Sequence, residues 1–311
     1  MPASATLPWH HGLKVFERGW LSSNNLLLLG EAGEGAVLVD ASHTLHAAQT
    51  VAMMHAALGG EPLRRLVNTH LHSDHCGGNA ALVRNFGCRL EVPPGEFAAA
   101  RAWDEPRLSH HATGQTCERF RPDGLLSPGD TLAVGGRRWQ VLAAPGHDPH
   151  SVLLFDHTHG VLVSADALWE QGFGVIFPEL DGEAAFDEQA AILNLIEGLA
   201  PRWVVPGHGR PFDDVAGALA RARTRLDGFV RDPARHRQHG ARVLVKNHLM
   251  ERRQEHWDEF RAWFEGTPLT ARVWQGLGRP EGRLAAWGEV LVKGLVASGA
   301  LALQEDLILD R

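Results

Sequence analysis

The segment Thr69-His70-Leu71-His72-Ser73-Asp74-His75-Cys76-Gly77-Gly78 constrains this chain more than any other. It follows residues 63–69, which read as a short strand, so four groups able to ligate a metal crowd into the turn between a strand and a helix. Imidazole nitrogen and carboxylate oxygen are the donors that zinc and iron take in open catalytic sites, and a sharp turn aims adjacent side chains at one centre from different sides. Gly77 and Gly78 let the backbone fold tightly behind them. An isolated His-x-His carries little weight, whereas the full His-x-His-x-Asp-His at a strand end carries much.

The flanking sequence reads as a layered α/β protein. Residues 26–40 form a hairpin pattern, 45–58 a helix stopped by Gly59-Gly60, 79–86 a second helix stopped by Gly87, and 88–92 another strand. Residues 93–124 break this rhythm and read as an insertion or long loop of the kind that serves as a lid. Strands at 131–134, 138–143, 151–155 and 160–164 follow at antiparallel spacing, then a helix at 187–199 and a strand at 203–205. Helices at 213–230, 241–264 and 283–298 come next, with a closing hairpin at 300–303 and 307–309. The division expected is 1–225 for a catalytic domain and 226–311 for a smaller helical, winged-helix-like domain. Three later strands end in further candidate ligands: Ala144-Pro145-Gly146-His147, Ser164-Ala165-Asp166 and Pro206-Gly207-His208.

These four motifs, in this order, resemble the metallo-β-lactamase-fold superfamily. The resemblance implies a four-layer αββα sandwich carrying two divalent metal ions, zinc first, with iron or manganese as alternatives. One ion would take His70, His72 and His147, the other Asp74, His75 and His208, with Asp166 bridging. Asp40, at the end of its strand, would support a ligand histidine from behind; the alternative, read alone, is a cap for the helix that follows at 42–46. In such a centre a bridging hydroxide attacks an acyl or phosphoryl group, and Asp74 can hold or relay the proton. The ligand set matches the glyoxalase-II, lactonase and phosphodiesterase pattern. The helical tail and Pro145–Ser151 lie closest to glyoxalase-II-like members with a C-terminal winged helix. A hydrolase of a small ester or thioester is the expectation. A mononuclear-iron persulfide dioxygenase and an endoribonuclease or phosphodiesterase are the rivals.

Composition narrows this further. The chain has 19 histidines and no tyrosine, so it cannot use the phenol with which lactonases polarise a carbonyl or glyoxalase II binds glutathione. A net charge of −7 argues against nucleic acid as a partner, although residues 231–311 alone carry 13 basic and 11 acidic groups. Three cysteines without a Cys-x-x-Cys pair fit a reducing compartment, and neither a signal peptide nor a membrane span is legible, so a cytoplasmic location is expected. The partner would be a small-molecule acyl substrate, and the helical tail offers a homodimer surface. Trp169, Phe173 and Phe177, just after Asp166, are expected to wall the pocket, with Trp103 opposite. His150 is a candidate substrate or ligand-supporting residue. His110 and His111 read as solvated, and His10, His11, His157 and His159 as surface residues.

Overall fold

Strands Asn25–Leu28, Ala36–Val39, Val152–Asp156 and Val161–Ala165 are buried along their whole length, and their alternation assigns each face to a different core. The computed structural model describes residues 11–31 and 33–311, so His10 lies outside it. Strands β1 (Leu13–Phe16), β2 (Asn25–Leu28), β3 (Ala36–Val39), β4 (Leu63–Val67), β5 (Arg89–Val92) and β6 (Gly124–Leu125) form one sheet in sequence order. Its first three strands pair antiparallel and the rest run parallel. Strands β7 (Thr131–Val134), β8 (Arg137–Ala143), β9 (Val152–Asp156), β10 (Val161–Ala165) and β11 (Trp203–Pro206) form a second sheet in the order β11-β10-β9-β8-β7.

Leu26 and Leu28 of β2 face the second sheet, where they join Val39, Val67, Trp139, Val141, Leu154 and Val163 in a central core. Leu27, between them, faces the opposite way and packs with Leu38, Leu66 and Met54 of helix Ala47–Leu58. The second sheet repeats the device: Leu153, Phe155 and Leu162 turn outward onto Ile192, Ile196, Ala222 and Leu226 of helices Phe186–Leu199 and Val215–Arg231. A period of two thus sends alternate residues to two cores, and four layers, αββα, follow.

This topology gathers the motifs. Strands β3 and β4 are parallel, and β10 is parallel to β11 and shares its direction with β8, so all their C-terminal ends lie on one rim. Backbone hydrogen bonds tie the two sheets there: Val152 N–H donates to Thr69 O at 2.9 Å and Asn24 N–H to Gly207 O at 2.7 Å.

Beyond the sandwich lies a helical region: Pro233–Arg252, Trp257–Gly266, Pro268–Gly276 and Leu284–Ala297, closed by β13 (Leu301–Gln304) and β14 (Leu307–Asp310). Its own core contains Leu244, Leu249, Phe260, Phe264, Trp287 and Ile308, and takes in Val175 and Leu180 from the sandwich. No helix among the described residues is long and apolar enough to cross a membrane.

Three expectations need correction. Residues 93–124 are largely structured, with helices Pro94–Ala102 and Ser109–Thr113. Pro94 stands in the first turn of its helix, where its missing N–H costs nothing. The continuous helix over 241–264 is two helices separated by β12 (Gln254–His256), because Arg253 adopts φ +68° and the chain then pairs with β14. The first of these helices starts at Pro233, with the Asp232 side chain accepting from Arg235 N–H, a capping signal the periodicity alone overlooks. Strand β1 and helix Pro268–Gly276 are additions to the elements legible in the sequence.

The tight turn behind the first motif is directly testable. A Cβ on Gly78 would lie 2.2 Å from the backbone oxygen of Ala41, whereas one on Gly266 would meet nothing within 4 Å. Gly78→Ala is therefore expected to cost about 1–3 kcal/mol in denaturant unfolding, and Gly266→Ala, at a helical position with open space, should hold or slightly raise the midpoint.

Candidate metal centre

Each motif delivers its side chains by a local device. The turn after β4 carries His70 and His72 and continues into the short helix Ser73–Cys76, which carries Asp74 and His75. Between Val163 and Ala165 the pairing of β10 with β11 slips by one residue, and Ala165 takes φ +45°, a conformation costly for a residue with a Cβ. The next side chain, Asp166, is thereby turned onto the rim.

Two groups result: His70, His72 and His147, and Asp74, His75, Asp166 and His208, with the ligand atoms of each within 4.8 Å of one another. In the first, His72 Nδ1 lies 3.1 Å from His70 Nε2 and 2.9 Å from His147 Nε2. In the second, Asp74 Oδ2 is 3.0 Å from His208 Nε2 and 3.7 Å from His75 Nε2. Asp166 reaches both, with Oδ2 3.4 Å from His147 Nε2 and Oδ1 3.5 Å from His75 Nε2. The Asp166 carboxylate therefore lies between the two groups.

The surroundings aim lone pairs inward. His147 Nδ1 donates to Val175 O at 2.6 Å and His75 Nδ1 faces Asp40 Oδ2 at 2.9 Å, so each Nε2 is left as an acceptor directed at the centre. Asp40 itself accepts from Thr69 N–H and Thr69 Oγ1, both at 2.8 Å. The alternative of a helix cap fails, because the cap of the following turn is the His43 side chain.

Burial, reinforced by the neighbouring imidazoles, holds His70 well below the ordinary histidine value and brings His72 down to about 4. For Asp74 and Asp166 burial acts upward, but His75 and His208 overcome it and keep both carboxyls below their usual range. Burial lowers His75, and the carboxylates of Asp40, Asp74 and Asp166 outweigh it and raise the ring. Positive charge is thus favoured on the side of Asp74, His75 and Asp166 and disfavoured at His70 and His72. His75 Nε2 is fully buried without a hydrogen-bond partner among the described residues. Converging acceptors with no donor to share are what a divalent cation satisfies, and these residue types fit one.

A cavity of about 710 Å³ opens onto the centre. Trp169, Phe173 and Phe177 line it as expected, and Trp169 Nε1 also donates to Asp166 Oδ1 at 3.2 Å. Trp103 does not line it: its ring packs on Phe120 and His110. His150 is exposed, bonds no ligand, and lies against Gly95 beside a second cavity of about 270 Å³. The acid near His72 is instead Asp148, 3.7 Å from its Nε2. His110, expected in solvent, is buried and donates to Leu71 O at 2.9 Å.

Sequence reasoning missed two sets of cavity residues. Trp20 is 59% exposed and stacks on His208 with ring centroids 5.4 Å apart. Arg225 and Arg242 line the far wall and have no carboxylate partner among the described residues. Arg225 lies over Phe173 and Phe229 and donates to His239 Nε2 at 2.7 Å. A basic residue on a helix carries no signal of what it faces until the helix is docked.

Asp40→Asn keeps the shape of the side chain but removes the charge behind His75. Metal affinity, measured by competition with a chelator, is expected to fall about 10- to 100-fold, and the metal-free protein should lose about 1–3 kcal/mol in denaturant unfolding, since the new amide NH2 faces the donors that Oδ2 accepted from.

Comparison with known proteins agrees with this geometry. Residues 18–208 match the Metallo-beta-lactamase superfamily. A hydroxyacylglutathione hydrolase from Anaeromyxobacter dehalogenans is 32% identical over 207 residues, spanning 66% of this chain and 69% of that one. An acyl-coenzyme A thioesterase, MBLAC2, from Gallus gallus is 30% identical over 165 residues, 47% of this chain and 56% of that one. In structure, a metallo-beta-lactamase family protein from Thermus thermophilus superposes with TM-score 0.55 at 21% identity, covering 96% of this chain and 99% of that one, a likeness of fold. The motifs, the four layers and the matched span together place the chain in the metallo-beta-lactamase superfamily.

Proposed function

We propose that the protein is a binuclear metal-dependent hydrolase of a small acyl ester or thioester, with a thioester of an anionic thiol preferred. The observation that carries this reading is Asp166, whose carboxylate touches both ligand groups. A site for one ion would leave the other group converged without purpose, which favours the hydrolase over a mononuclear-iron dioxygenase.

His70, His72 and His147 would hold one ion and Asp74, His75 and His208 the other, zinc being the first expectation. When bound, such a pair supplies Lewis acidity and a water that ionises near neutral pH. The protein does the rest. Trp20, Trp169 and Phe177 exclude bulk water and give the acyl chain an apolar wall. Asp74 Oδ2, at the mouth of the site and 3.0 Å from His208, can take the proton of the attacking water and return it to the leaving group. With no tyrosine in the chain, no phenol polarises the carbonyl.

The preference for an anionic thiol rests on Arg225 and Arg242, cations in the cavity without a carboxylate of their own among the described residues. Similar relatives bear the names of hydrolases for two such thioesters, of glutathione and of coenzyme A. The reading implies a small-molecule substrate and a cytoplasmic setting, and it needs neither nucleic acid nor a partner chain.

A substrate panel of acyl-glutathiones, acyl-coenzyme A, lactones, phosphodiesters and β-lactams, run with metal analysis, tests it. Two ions per chain and fastest turnover of a thioester are expected. One iron per chain with oxygen consumption on glutathione persulfide would overturn it. Asp74→Ala should lower kcat at least about 100-fold, and Arg225→Ala with Arg242→Ala should raise KM about tenfold or more with kcat little changed.

A further inference from the structure

The proposed reaction leaves one cluster of chemically capable side chains unused. Cys76 and Cys117 are free thiols, and His110 lies between their segments. Cys76 Sγ stands 3.8 Å from Cys117 Sγ and 3.7 Å from His110 Nε2, and the three ligand atoms lie within 4.8 Å of one another. The residues come from distant stretches of chain, Cys76 directly after His75 and the other two from the segment read in sequence as an insertion.

We propose that Cys76, His110 and Cys117 form a third metal site, a thiolate–imidazole site for a soft divalent ion such as zinc, distinct from the oxygen- and nitrogen-donor centre on the rim. An ion held tetrahedrally at about 2.3 Å from sulfur and about 2.0–2.1 Å from nitrogen sets its ligands about 3.8 Å apart, sulfur to sulfur, and about 3.6 Å apart, sulfur to nitrogen. The spacings found match both. Two of the three residues are buried and Cys117 is half-buried, so the fourth position opens towards solvent on its side. Leu71 O, now accepting from His110 at 2.9 Å and from Cys76 at 3.4 Å, faces the same point. Binding sends the two thiol protons to solvent and moves the imidazole proton from Nε2 to Nδ1, which frees Nε2 as a donor to the ion.

Thiolates select soft ions, and the rim centre has none, so the two places would sort metals by donor type. The role of the third ion is to fasten. It would join the turn bearing Asp74 and His75 to helix Ser109–Thr113 and the segment after it. That segment in turn meets the helical region, where Trp263 Nε1 donates to Gly114 O at 3.2 Å. An ion here would link the ligand turn, the inserted segment and the C-terminal helices.

Cobalt(II) titration of the metal-stripped, full-length protein, kept reduced with a phosphine, separates this site from the rim. Only thiolate ligation gives the intense near-ultraviolet sulfur-to-cobalt charge-transfer band. Wild-type protein is expected to develop the band as cobalt is added, and Cys88→Ser should retain it. Cys117→Ser should lose it and bind one equivalent fewer, and His110→Gln should weaken it. Circular dichroism checks that each variant is folded. Absence of the band at any cobalt ratio, its persistence in Cys117→Ser, or its loss in Cys88→Ser would overturn the proposal. So would recovery of a Cys76–Cys117 disulfide from the reduced protein. None of these outcomes bears on thioester hydrolysis at the rim.

Discussion

Everything in this molecule is arranged around the cost of crowding acceptors. Five imidazoles and two carboxylates converge on one rim, nearly all buried, and their lone pairs and negative charges repel unless a cation lies among them. Such a cluster persists only if the scaffold over-determines it. Two sheets bonded to each other through Thr69 O and Gly207 O supply that rigidity, and each ligand leaves the end of a strand whose own position is fixed by two cores.

Three of the strained backbone positions serve the same end. Asp40 at φ +60°, Ser42 at φ +67° and Ala165 at φ +45° are residues with a Cβ in the left-handed region, and all three flank the centre. Strain at Ala165 aims Asp166, and strain at Asp40 lets one carboxylate serve both His75 and the Thr69 backbone. Glycine does the complementary work, since a Cβ on Gly207 would fall 2.1 Å from Asp166 Oδ1 and one on Gly174 2.4 Å from His147 Nδ1. Ligands are packed against bare backbone on one side, which leaves the cavity as their open direction.

The candidate ligands were legible in the sequence because strand, turn and donor type coincide within a few residues at each motif. The αββα sandwich was legible for the same reason, and helix Asn79–Phe86 matched its expected bounds. What stayed hidden depends on distance in sequence. Nothing around His110 announces a buried ring, since its partner is the carbonyl of Leu71 in another segment. Trp103 and His150 looked like pocket residues by residue type and neighbourhood, but their rings are spent on Phe120 and against Gly95. Trp20 and Arg225 reach the cavity only because strands and helices far from the motifs dock over it. The break at Arg253 was invisible to periodicity, since a single left-handed residue leaves the apolar pattern intact on both sides.

The helical region is more than an appendage, because its first helix reaches a ligand through two hydrogen bonds. His236 Nε2 accepts from Ile176 N–H at 3.2 Å, and the preceding carbonyl, Val175 O, accepts from His147 Nδ1 at 2.6 Å. Burial, helped by His239 and Arg225, draws His236 down to about 3, so at neutral pH the ring stays an acceptor and the bond to Ile176 persists. Phe186 and Phe229 pack edge-on against it, at 5.4 and 4.9 Å between ring centroids. The segment 173–177 is therefore held from behind by the helical region while it walls the cavity in front and orients His147 at its side. A substrate that presses on Phe173 or Phe177 meets a surface whose stiffness is set by the docking of helix Pro233–Arg252. The same docking brings Arg225, His239 and Arg242 together at the far wall, so the groups that orient a ligand and those that would recognise an anionic substrate depend on one packing interface.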